Sequence, residues 1–303
     1  MDLTNTAFLN IIRTMAFAMA LSLTAGCHPH NTGDSDTPIA VHFVAEPLGF
    51  ASPESKRPWD IEGSIGISMI SPYDTSIILE YKNIRYIYTS AQQGFSPSGE
   101  TIYYPINGKE VRFTAYFPHT TLDGHTMTVD LRNQPAPEDQ ESNQLLWAPP
   151  TTTYTKDSPN PVLLEFERQY ARINIRFSPS DGTSLEDLKN LKLSISDMVL
   201  QGHFNVLTGQ MENGDLKGEI WFKHLNSDST RMSALVLPVE ASDSRTFSFR
   251  IGDAFFSHPI PEEKFEKGHS YAYHIRISNS GIEGLEASVE PWEEDNSGSG
   301  DVL

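Results

Sequence analysis

Apolar and polar residues alternate along most of this chain. In Ile39-Ala40-Val41-His42-Phe43-Val44-Ala45 the alternation places Ile39, Val41, Phe43 and Ala45 on one face of a strand. Val111, Phe113, Ala115 and Phe117 repeat the pattern against Arg112, Thr114 and Tyr116, and Asn107-Gly108 just upstream is a hairpin signal. The same period predicts strands over residues 65–70, 76–81, 84–88 and 101–104. Later strands are predicted over 162–177 with an interruption, 191–196, 232–237, 246–251, 271–278 and 285–289. Clusters such as GFSPSG at 94–99 and SNSG at 278–281 read as the turns between them. Short strands at this spacing predict β-sandwiches rather than βαβ units. The fold class read from the pattern is all-β.

One helix interrupts it. Ser184-Leu185-Glu186-Asp187 reads as an N-terminal cap, and Leu185, Leu188 and Leu191 follow at helical spacing. The expected role is a crossover between strands. Residues 134–161 hold six prolines and the acidic run Pro137-Glu138-Asp139-Gln140-Glu141, so a domain boundary is expected there. Part of that stretch must be ordered, because Leu145-Leu146-Trp147 is apolar. The division expected is a β-sandwich over 39–160, a second over 161–292, and an acidic, Gly/Ser-rich flexible tail over 293–303.

Composition supports the β reading. The 303 residues include 16 Phe and 11 Tyr, which favour pleated, half-buried surfaces, and 20 Pro and 20 Gly, which favour turns. The formal net charge of −18, from 22 basic and 40 acidic residues, argues against a nucleic-acid partner and against docking on anionic lipid.

The single cysteine excludes an internal disulfide and a CxxC zinc site. Its surroundings give it another meaning. Residues 15–23 read MAFAMALSL after Arg13, the length of a signal-peptide core and too short to span a bilayer as a helix. Thr24-Ala25-Gly26-Cys27 follows, small residues ending in Cys, similar to the lipobox of exported lipoproteins, although Thr24 stands where Leu is usual. Residues 1–26 are thus expected to be a lipoprotein signal peptide, with Cys27 the lipidated residue; the alternative is a plain secretory signal. Residues 27–38, polar and acidic, are expected to form a flexible tether.

Four segments resemble the fimbrillin-like proteins of Bacteroidetes, subunits of type V pili. Gly94-Phe95-Ser96-Pro97-Ser98-Gly99-Glu100-Thr101-Ile102-Tyr103-Tyr104-Pro105-Ile106-Asn107-Gly108 leads into Val111-Arg112-Phe113-Thr114-Ala115-Tyr116-Phe117-Pro118. This is similar to the family's "yyP-dG…v-f-AyyP" stretch. Leu164 to Ile173 is similar to its "F-H-l-ar" strand, with Arg168 where His is usual. Gly202-His203-Phe204-Asn205-Val206-Leu207-Thr208-Gly209 resembles its "G-fdl-tG" turn, and Phe265 to Tyr273 with Pro291-Trp292 resembles its close. No one motif is specific; their order and spacing over residues 39–292 carry the likeness.

The resemblance implies two transthyretin-like β-sandwich domains in tandem, export as a lipoprotein to the outer membrane and cell surface, and assembly with other pilin subunits by donor-strand addition. It also implies that a protease removes the first strand and opens a groove for a neighbour's strand. Here the displaceable strand would carry Ile39, Val41 and Phe43, and the cut would fall at Lys56 or Arg57. Pro58 after Arg57 disfavours the second position, and an uncut loop is the alternative. An uncut subunit suits an anchor or tip better than a stalk. Partners expected are therefore other subunits, the membrane through the lipid, and a host glycan or protein in the alternative reading, an adhesin that does not polymerise. Exposed aromatics such as Trp147 or Trp221 would serve an adhesin, while core packing is their ordinary role.

Enzyme chemistry finds no motif. The ten histidines form no HExxH or comparable ligand pattern; His28 and His30 fall in the tether, and His42, His203 and His274 fall on strands as structural residues. Residues 295–301 resemble the start of a calcium loop but end before its closing Glu. Gly94-Phe95-Ser96-Pro97-Ser98 lacks the second Gly of a nucleophile elbow, and no phosphate loop is present. No catalytic residue, metal or cofactor is expected.

Overall fold

A computed structural model describes residues 37–47, 63–90, 94–140, 143–158, 161–226, 228–260, 264–278 and 280–292. The chain there is nearly all β, with α1 (Leu185–Lys189) its one α-helix among the described residues.

The first half builds a closed sheet. β1 (Phe43–Pro47), β2 (Ser64–Ile70), β3 (Ile84–Ser90), β4 (Gly94–Pro97) and β5 (Arg112–Phe117) join two later strands. With β6 being Thr126–Asp130, those two are β7 (Leu146–Ala148) and β8 (Val162–Arg168). The order around the barrel is β1-β4-β3-β2-β5-β7-β8. Alternation on β5 and β8 supplies Phe113, Ala115, Phe117, Val162, Leu164 and Phe166 to its interior, as the sequence period predicts.

The second half stacks two sheets. β9 (Ala171–Pro179) leads through α1 to β10 (Lys192–Val199), β11 (Gln201–Asn205), β12 (Gln210–Asn213), β13 (Lys217–Trp221), β14 (Lys223–Leu225) and β15 (Asp228–Val236). β16 (Thr246–Ile251), β17 (Ala254–Pro259), β18 (His269–Ser278) and β19 (Gly281–Pro291) complete it. One sheet runs β13-β10-β16-β17 and the other β14-β15-β9-β18-β19. Their inner faces meet in a core that includes Ile173, Ile175, Leu193, Ile195, Phe247, Phe249, Tyr273 and Ile275.

β8 belongs to the barrel and β9 to the five-stranded sheet, so the chain passes from one sheet to the other at Gln169-Tyr170. The proline-rich stretch upstream is tied down by side-chain bonds. The buried Gln134 side chain receives the N–H of Leu235 (2.8 Å) and donates to Leu235 O (3.0 Å). Ser233 Oγ donates to Gln140 Oε1 (2.9 Å), and Arg168 Nη1 donates to Gln144 Oε1. A third apolar cluster draws on both halves, including Tyr116, Leu145, Trp147, Tyr170, Phe204, Leu235 and Trp292. A small sheet, β12-β11-β6, crosses the same junction. Gly209, at the end of the "G-fdl-tG" turn, has φ +69°, and a Cβ there would stand 2.4 Å from the Trp147 ring. Trp147 is buried and its Nε1 donates to Val206 O (2.9 Å). The glycine is needed for both the backbone and the contact.

Several expected elements take another form. Residues 76–81 form no strand: Leu79 and Glu80 have φ of 52° and 60°, and only Ile77 makes a bridge, to Ile70. Asp74 accepts from Ser76 N and Ser76 Oγ and turns the chain there. Residues 101–104 contribute a single bridge, Tyr103 to Ala40, rather than a ladder. The GFSPSG cluster begins with β4, its Phe95 buried. The helix is capped as predicted, Ser184 and Asp187 bonding reciprocally, but Leu185 is exposed and only Leu188 and Leu191 bury.

Asp197 marks a bulge where β10 slips against β13, with φ of 54°. Its carboxylate accepts from Ser242 Oγ (2.7 Å), Ser244 Oγ (2.8 Å) and Lys217 Nζ (3.0 Å). These bonds, Ser242 foremost, push its pKa down to about 2. A depressed carboxylate stabilises the fold above its unfolded pKa near 4, and that contribution fades as pH falls from about 4 to 2. Asp197→Asn keeps the φ tolerance and loses the charge, so it is expected to cost about 1 kcal/mol at pH 7, discounted for partial exposure. Urea midpoints of the two proteins are expected to converge as pH is lowered through that window.

Candidate assembly site

β1 closes the barrel. It pairs in parallel with β8, Phe43 to Val162 through Pro47 to Phe166, and antiparallel with β4 by one pair, Phe43 to Phe95. Upstream, Val41 N donates to Ile102 O (2.9 Å) and Tyr104 N to Ile39 O (2.9 Å), while Val162 N donates to His42 O (2.8 Å). The segment therefore lies between residues 102–104 and β4 on one side and β8 on the other.

Its side chains fill the barrel. Phe43 is fully buried, edge-on to Tyr86 (5.3 Å) and to Phe113 (5.1 Å). Val41 is buried and Ala45 packs against the same cluster. Ile39 is 44% exposed, so the buried face starts at Val41 and not at Ile39 as the alternation predicts. The segment is bonded to 102–104 there but has not yet entered the ladder, and its first apolar side chain lies outside.

The receiving walls are built around that strand. Tyr86 Oη accepts from Ile102 N (2.9 Å) and so fixes the residues that bond Val41. Burial pushes the Tyr104 hydroxyl up to about 12 and raises Tyr86 as well, so both stay neutral beside the apolar strand at any physiological pH. Gly94 has φ +66°, and a Cβ there would stand 2.1 Å from Phe43 O. Gly94→Ala is therefore expected to push β1 away from β4 and to lower stability by about 2 kcal/mol or more, measurable as a drop in the urea midpoint.

Lys56, Arg57 and Cys27 lie outside the described residues, as do His28 and His30. Gly94, Tyr86 and Ile102 carry no local signal of this site, because their roles depend on a strand more than about forty residues away in the chain. Of the two aromatics considered for adhesion, Trp147 is buried in the junction, whereas Trp221 is 48% exposed. His42 and His203 are exposed on or beside strands, and His274 bonds Ser178 Oγ (2.7 Å). No group of three or more metal-ligating side chains occurs among the described residues.

Comparison with known proteins bears on this geometry. A family described as fimbrillin-like matches residues 54–292. A protein of Bacteroides uniformis assigned as fimbrium subunit Fim1C is 29% identical over 261 residues, 80% of this chain and 81% of its own length. A crystal structure of a B. uniformis protein assigned to cell adhesion superposes with a TM-score of 0.70 at 24% identity, covering 86% of this chain and 100% of that one. A second, from Bacteroides ovatus, gives a TM-score of 0.65 at 16% identity with the same coverage. The two structures bear on the fold alone. The family match spans more than half of the chain, and the chain belongs to the fimbrillin-like family.

Proposed function

We propose that this protein is a cell-surface subunit of a type V pilus, exported as a lipoprotein on Cys27 and joined to other subunits by strand addition. The observation that carries the reading is the place of β1. It is the first strand of the barrel, it fills the core with Phe43, and it is held to β4 by one ladder pair. Withdrawing it would uncover an edge of β8 and an apolar groove lined by Tyr86, Ile102, Phe113 and Val162. The family match begins at residue 54, after β1, and takes in every other named strand. The relative assigned as a fimbrium subunit supports a place in a fimbrium.

Lys56 is the proposed cut, between β1 and β2, with Arg57 disfavoured by Pro58. The acidic residues 293–303 carry few apolar alternations to offer a neighbour, so an accessory subunit, an anchor or tip, is favoured over a bulk stalk subunit. Incubating the mature protein with a Lys/Arg-specific protease tests this. Release of the N-terminal segment without a ladder of SDS-resistant multimers is expected; a ladder would show a self-polymerising stalk subunit. Cys27→Ala is expected to abolish membrane fractionation, and wild-type levels in the membrane would contradict the lipid anchor.

A further inference from the structure

The sheet β13-β10-β16-β17 turns Leu193, Ile195, Ile220, Phe247 and Phe249 inward, and the cross-strand register fixes what it turns outward. Trp221, Ser194, Ser248 and Ser257 share one outward row. Lys192, Arg250 and Phe255 share the next.

Three features of this face point to a ligand. Trp221 is 48% and Phe255 67% exposed, one near each edge of the sheet. Three strand spacings and one two-residue step separate them by about 16 Å, a span suited to a linked chain rather than a single small molecule. Lys192 and Arg250 stand directly opposite one another, an arrangement in which like charges repel. Neither has an acidic partner among the described residues, in a chain whose net charge is −18. Finally, Ser248 and Ser257 stand opposite one another on the row that begins with Trp221, the first half-buried and the second exposed, so hydroxyls are accessible between the two rings.

We propose that this face binds a carboxylate-bearing polysaccharide. The rings of Trp221 and Phe255 stack against sugar faces, Lys192 and Arg250 meet the carboxylates, and Ser248 and Ser257 bond sugar hydroxyls. Cations without an acidic partner among the described residues select an acidic ligand in a chain of net negative charge, and flat exposed rings at both ends select sugars over an acidic peptide. The proposal does not depend on strand exchange, since β1 lies in the other half.

Binding of the whole chain to immobilised polygalacturonate, polysialic acid, neutral dextran and polyglutamate tests it. Binding to either sugar acid is expected, the two arms distinguishing uronate from sialate, with none to dextran. Trp221→Ala and Lys192→Ser are each expected to weaken it about tenfold. Both sites lie at the surface, so the fold should survive, as circular dichroism would verify. Tyr73→Ala, exposed on the other half, should leave binding unchanged. Failure to bind either sugar acid would overturn the proposal. So would polyglutamate binding that equals the sugar acids and persists in Trp221→Ala, which would indicate an acidic-polypeptide surface.

Discussion

Phe43→Ala is expected to lower the stability of the folded chain by about 3–5 kcal/mol, the range for emptying a buried aromatic site. Phe43 is fully buried and sits edge-on to both Tyr86 and Phe113, so its removal leaves a cavity at the point where the barrel closes. The loss should be concentrated in β1, because it meets β4 by a single ladder pair, whereas β3 and β5, which carry Tyr86 and Phe113, are held by longer ladders on both sides. Urea denaturation gives the magnitude, and hydrogen exchange gives the place: the amides of Val41 and Val162, which bond across this strand, should lose protection first. Ile39→Ala is the contrast. That side chain is largely outside, and its replacement should change stability by about 0.5 kcal/mol or less.

Trp292→Ala is expected to cost a similar amount, about 3–5 kcal/mol, and to act at the junction. The ring is buried with Arg168 and Arg172 stacked over it, their guanidinium carbons 4.4 Å and 4.7 Å from its centroid. Its backbone N–H donates to Gly268 O (2.8 Å). Without the ring, two cations lose an aromatic partner in a site that excludes water, which adds to the cavity cost. Because the surrounding cluster draws on both halves, the variant should unfold with the two halves less coupled. Calorimetry is expected to show a broadened or divided transition, with Trp292→Phe largely restoring the original.

The sequence made some of this legible for plain reasons. Alternation located β8, β16 and β18, because each has one face against a core and the other largely against water or polar neighbours. β2 and β5 are buried on both faces, one in the barrel and the other, through Ile70 and Tyr116, at the junction. The Ser184 and Asp187 pair located α1, since a capping box needs only local chain. What escaped depended on distant partners. β6 and β11 are short and mixed in polarity, and they are strands because they pair with each other across the junction. β17 exists because β16 offers it an edge, with outward Phe255 exposed where alternation would have placed a polar residue. The proline-rich stretch reads as a linker by composition, yet Gln134, Gln140 and Gln144 each find a buried partner that no local pattern records. For the candidate site, Val41 and Phe43 could be read from period two, whereas Gly94 gains its meaning only from the carbonyl of Phe43 lying against it.

The central claim is that β1 can leave the barrel and be replaced. The direct measurement is to cut the chain between β1 and β2 at an inserted protease site, keep it under native conditions, and add a fluorescent peptide of residues 37–47. The account predicts that the peptide enters in a one-to-one ratio while the original segment is released, and that a peptide with Phe43→Ala does not enter. A cut protein that retains its own first strand indefinitely without exchange, or takes up both peptides equally, would contradict it.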